Sequence, residues 1–117
     1  PAEAVHPLAI KVMEEMGVDI SNNTPKSLDI YVGEQWDMVI TVCDKALENC
    51  PIFPGQKVTA HWGFSDPAEF EGSEDEKIKF FRKIALEIQH RMRLLLAIHQ
   101  NELNNQYQNE VRQIGLQ

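Results

Sequence analysis

Val39–Pro67, VITVCDKALENCPIFPGQKVTAHWGFSDP, decides how the rest of the chain reads. It opens on the apolar run Met38-Val39-Ile40-Thr41-Val42, long enough for a buried strand and short for a helix. Both cysteines of the chain follow, Cys43 and Cys50, with six residues between them. Val58, Ala60 and Trp62 then alternate with Lys57, Thr59 and His61, a second strand pattern. Gly63-Phe64-Ser65-Asp66-Pro67 ends the stretch in a loop that carries one carboxylate. Two thiols and an acid at the ends of two strands make an active-site edge a better reading than a generic core.

Outward from that stretch, the N-terminal segment His6-Pro7 to Met16 predicts a helix. Proline suits the first helical turn, Ala9, Ile10, Met13 and Met16 share a face, and Gly17 is a natural stop. A polar connection follows to Pro25, with Ser21-Asn22-Asn23-Thr24 suited to local turns, and Ser27 to Gly33 reads as a short helix. The first strand is expected over 37–42, a short helix over 44–49, and an irregular link around Pro51, Pro54 and Gly55. Ser73-Glu74-Asp75-Glu76 is a capping box opening a long amphipathic helix with its seam at Ile78, Phe81, Ile84, Ile88, Met92 and Leu95. Leu103, Tyr107, Val111 and Ile114 extend the seam past Asn101, Asn104 and Asn105. Unbroken to Ile114, that helix would be roughly 60 Å long at 1.5 Å per residue. A tail of that length is expected to fold back or to dock on another chain. Helix, strand, short helix, strand, helix is an α/β order with parallel strands.

The 117 residues suffice for a single domain with one core. A formal net charge of −7 disfavours a nucleic-acid partner, since phosphate binding rests on clustered Lys and Arg. No apolar run reaches bilayer length and no signal-peptide pattern opens the chain, so no membrane role is expected. Two cysteines are too few for a secreted disulfide scaffold, which points to free thiols in the cytoplasm.

The thiols have a chemical reading and a bland one. Cys43 sits where a strand ends and a helix is expected to begin, and helix N-terminal amides lower a thiol pKa, while Asp44 beside it opposes this. If residues 43–50 were helical, the two Cα atoms would lie about 10 Å apart, beyond the reach of a disulfide, about 4.4–6.8 Å. Joining them requires the segment to unwind, which would couple redox state to local shape. From spacing alone the simpler reading is two buried, inert thiols. Zinc finds little support, because Cys43, Cys50 and His61 lack both a CxxC spacing and a fourth ligand. Asp66 precedes a proline, which extends its backbone and holds the carboxyl at a loop tip, where a general acid or an ordinary Asp-Pro turn would serve equally.

The joint order Val42-Cys43, Cys50-Pro51 and His61-Trp62-Gly63-Phe64-Ser65-Asp66-Pro67 resembles the thioredoxin-coupled arsenate reductases built on the low-molecular-weight tyrosine phosphatase fold. His6-Pro7-Leu8-Ala9-Ile10 and Asp19-Ile20-Ser21-Asn22-Asn23-Thr24 share the likeness, which spans residues 5 to about 95. The resemblance implies a parallel-sheet, three-layer α/β fold over residues 1–100, a helical tail over 101–117, and a role for each matching residue. A first cysteine in a Cys-x5-Arg loop would attack arsenate. Cys43 would attack that cysteine's sulfur and release arsenite, Cys50 would attack Cys43, and thioredoxin would reduce the resulting disulfide. Asp66 would protonate a leaving oxygen. Thr24 falls where some relatives bind a monovalent cation, and Lys26 where they use a carboxylate, so its ammonium would replace the cation.

One departure matters most: no Cys-x5-Arg occurs in these residues, and the nearest arginine after Cys43 is Arg82. The resemblance therefore reads as the C-terminal two-thirds of the enzyme, without the anion cradle, the first nucleophile and the central strand, and inactive alone. A strand edge left bare beside Asp37–Val42, together with the long helix, predicts a homo-oligomer. A low-molecular-weight phosphatase would share the fold and Asp66 without needing two resolving cysteines. A non-catalytic assembly fragment is the reading from a different class.

Overall fold

The structure, a computed structural model, describes residues 3–43 and 58–115. The first helix, α1, spans Pro7–Glu15. His6 caps it: its Nδ1 accepts from the Leu8 amide at 3.1 Å, and Pro7 occupies the first turn, where a missing N–H costs nothing. The stop falls at Gly17, whose φ of 83° lies in the left-handed region that a residue with a Cβ rarely adopts. The segment expected as a short helix over Ser27–Gly33 is a single 3-10 turn, Leu28–Ile30, capped by the Ser27 hydroxyl.

Strand β1 spans Met38–Cys43 and β2 spans Val58–Phe64, within a residue or two of the predicted strands. They pair in parallel, with Met38 beside Val58, Ile40 beside Ala60 and Thr41 beside His61. The register then shifts, and Cys43 pairs with Phe64. β2 thus uses three steps where β1 uses two, a bulge that re-aims the last residues of a strand. The continuous apolar run of β1 predicts a strand covered on both faces, but here Val39 and Ile40 are half-buried while Met38 and Val42 are exposed, at 40% and 47%. The helix expected over 44–49 and the irregular link around Pro51 and Pro54 lie outside the described residues.

The second helix, α2, runs from Glu74 to Gly115 without interruption. Its start is the predicted capping box: the Ser73 hydroxyl accepts from the Glu76 amide at 3.2 Å and donates to Glu76 Oε1 at 3.0 Å. Glu74, Asp75 and Glu76 add negative charge at the positive end of the helix dipole. The chain divides into two compact units, Pro1–Ile84 and Ala85–Gln117.

Among the described residues, the core of the first unit is Val12 from α1, Phe64 from β2, and Ile78, Phe81 and Ile84 from α2. Ile78, Phe81 and Ile84 are the first three positions of the seam read from sequence. The His6 ring packs on Phe81 at 4.7 Å, and Arg82 donates two hydrogen bonds of 2.8 Å to the Glu15 carboxylate. Phe70 stacks on Phe80 at 4.7 Å, fixing the turn that leads into α2. A Cβ at Gly72 would come within 3.1 Å of the Phe70 ring and 3.3 Å of Glu76 Cβ, so the turn is built around a residue without one. The second unit consists of the remainder of α2, and its side chains are mostly exposed. No helix among the described residues is long and apolar enough to cross a membrane.

Candidate active site

Because β1 and β2 are parallel, their C-terminal ends lie on the same edge of the sheet. Cys43 is the last residue of β1, and its strand partner Phe64 is the last of β2. Asp66 follows Phe64 by two residues. The fold therefore gathers two of the three residues singled out in the sequence, Cys43 and Asp66, at one edge. The third, Cys50, lies outside the described residues. In open α/β sheets the carboxyl edge is where ligands bind, because the loops that leave it are free to vary while the strands hold them.

Asp66 is exposed and caps the 3-10 turn Pro67–Glu69, its Oδ1 accepting from the Ala68 amide at 3.0 Å. The Asp-Pro pair thus forms a local turn, one of the two readings open from sequence. The turn also fixes the carboxyl's position. One oxygen is engaged by the backbone, and the group as a whole remains accessible for proton transfer.

Sequence reasoning missed the pair just inside this edge. Thr41 and His61, opposite one another in the ladder, share a hydrogen bond of 2.6 Å between the threonine hydroxyl and His61 Nδ1. The sequence reading placed His61 on the second strand and in the family-like motif, and weighed it as a zinc ligand, without a partner on β1. Thr41 stands two residues before Cys43 and fixes the imidazole orientation from the neighbouring strand. Alternation marks both as strand residues, but only the register sets them side by side, and register does not show in the sequence.

A second feature flanks the start of β1. Trp36 Nε1 donates to the Tyr31 carbonyl at 3.0 Å, and the two rings meet edge to face at 5.7 Å. With Met38, Val39 and Ile40 they line an open apolar hollow. No group of three or more His, Cys, Asp or Glu side chains suited to a metal ion occurs among the described residues.

Residues 1–109 match the low molecular weight phosphotyrosine protein phosphatase family. The arsenate reductase of Halalkalibacterium halodurans is 41% identical over 92 residues, covering 79% of this chain and 66% of that protein. That of Bacillus subtilis is 40% identical over the same shares. Arsenate reductase 2 of Staphylococcus epidermidis is 43% identical over 86 residues, 74% of this chain and 66% of the relative. A solved structure described as an arsenate reductase in reduced state superposes with a TM-score of 0.58 at 28% identity, covering 80% of this chain and 66% of that one. The chain thus spans just under two thirds of the length of these relatives. With the parallel strand pair, the capped helices and a match across nearly the whole sequence, the chain belongs to the low molecular weight phosphotyrosine protein phosphatase family.

Proposed function

We propose that this chain carries the thiol relay and the general acid of an arsenate reductase, which converts arsenate to arsenite and is recycled by thioredoxin in the cytoplasm. The observation that supports the reading is the cysteine pair. A phosphatase of this family uses an acid such as Asp66 but needs neither Cys43 nor Cys50, and a relative 41% identical over 79% of this chain is named an arsenate reductase.

The electron bookkeeping fits two relay thiols. An arsenate-bound first cysteine, which these 117 residues do not contain, carries the arsenic on its sulfur. The Cys43 thiolate attacks that sulfur, an S–S bond forms, the S–As bond breaks, and the electron pair leaves with arsenic, now arsenite. Cys50 then attacks the Cys43 sulfur and frees the first cysteine as a thiolate. Each step is thiolate attack on sulfur, whose rate follows the thiolate fraction and access. Asp66, held at the same edge by its turn, protonates the oxygen that departs when the first cysteine attacks arsenate. Reduced thioredoxin returns the Cys43–Cys50 disulfide to two thiols.

The relay can be tested on this chain without the first cysteine. Mild oxidation followed by alkylation and peptide mapping should give an intramolecular Cys43–Cys50 disulfide in folded protein, and reduced thioredoxin should reopen it. Intermolecular dimers alone, thiols that resist labelling in the folded state, or a disulfide that thioredoxin leaves intact would each overturn the reading.

A further inference from the structure

The exposed part of α2 carries a pattern that its role as a helix does not require. Leu103 is its centre. His99 and Tyr107 lie four residues to either side, Leu96 and Glu110 seven, and Met92 and Ile114 eleven. The steps run four, three, four, then four, three, four, and read the same in both directions. Each half is an 11-residue unit of about 3.67 residues per turn, so close to the helix's own 3.6 that the stripe stays almost straight. All seven side chains are exposed, with Leu103 at 50%, Tyr107 at 68% and Ile114 at 71%.

We propose that this stripe is an antiparallel seam for a second copy of the same chain. A two-fold axis through Leu103 sets Leu103 on its own counterpart, His99 opposite Tyr107, Met92 opposite Ile114 and Leu96 opposite Glu110. Val111, next to Glu110, supplies apolar cover for Leu96. Two-fold pairing of this kind is closed and self-complementary, so it stops at a dimer.

Charge selects both the occupant and the direction. Glu110 is the acidic member of the stripe, and in the antiparallel register it falls opposite Leu96, one turn from Arg93 on the partner helix. The two-fold creates this unlike-charge contact twice. A parallel pairing would press Glu110 against Glu110 and leave Arg93 without that carboxylate. Charges beside an apolar seam set partner and orientation in paired helices, and the same logic applies here.

Sedimentation equilibrium of the full 117-residue chain under reducing conditions should report a dimer at micromolar concentration. Glu110→Arg and Arg93→Glu, each alone, should raise the dissociation constant at least tenfold. The two together should restore it to within about threefold, because the pair is exchanged and not lost. Direction is read by cysteine cross-linking with Cys43 and Cys50 replaced by serine. Chains carrying His99→Cys should cross-link to chains carrying Tyr107→Cys. The proposal is overturned by a monomeric wild-type chain, by a dimer that neither single change weakens, by a double variant that stays dissociated, or by homodisulfides of a parallel pair.

Discussion

Lys26 stands exposed on the coil between α1 and the Leu28–Ile30 turn, as does Thr24. If its ammonium occupies the role that a monovalent cation plays in some relatives, the melting temperature should be the same in potassium and in sodium at equal ionic strength. A potassium-specific rise would show that Lys26 is an ordinary surface lysine. Glu15 offers a second test. The hydrogen bonds from Arg82 hold its carboxyl below the usual range, a smaller desolvation effect opposes them, and the charges of Arg82 and Lys11 add to the lowering. A depressed folded-state pKa contributes stability above the unfolded value, lost as pH falls through the folded one. Arg82→Met should therefore flatten the acid side of the stability profile below about pH 4.5, the ordinary carboxylate value. The wild-type difference should shrink in about 1 M salt, where the screening length falls to roughly 3 Å. An unchanged acid limb in the variant would show that the pair contributes nothing there.

At the scale of elements, what the sequence revealed depended on how far apart the determining residues lie. The capping box at Ser73 and Glu76 was legible because both partners sit within one turn, and the stop at Gly17 because one residue supplies the conformation. The seam Ile78, Phe81 and Ile84 was legible because its period is the helix's own. Ser27–Gly33 does not form the expected helix: the Ser27 cap starts only a 3-10 turn, Leu28–Ile30, followed by another turn. The asparagines of α2 weakened the pattern without breaking the helix, each costing at most about 0.7 kcal/mol against alanine. The site divides in the same way. Cys43 and Asp66 could be placed at strand ends by local pattern, and the parallel order brought those ends together. Thr41 with His61, and Arg82 with Glu15, depend on contacts between residues 20 and 67 positions apart, which no local period encodes.

For the molecule as a whole, these 117 residues taken alone should give arsenate reduction no faster than background in the presence of thioredoxin. The chemistry needs a preorganised oxyanion cradle and a first nucleophile, and no glycine-rich loop or nearby arginine follows Cys43. Turnover above background would mean that Cys43 itself meets arsenate. The contact between the two ends of the first unit also bears on how the chain is made. His6 rests on Phe81 and Glu15 is held by Arg82, so the N-terminal helix finds its partners only after 67 more residues have been added. At roughly 5–20 residues per second that is a wait of about 3–13 s. During it α1, joined later by the uncharged MVITVC strand, is present on the ribosome without the helix that completes their unit. Ala85–Gln117 form a separate unit, so closure of the first waits only on residues up to Ile84. The order of synthesis thus gives a holding chaperone its interval: it begins when α1 emerges and ends when Phe81 does.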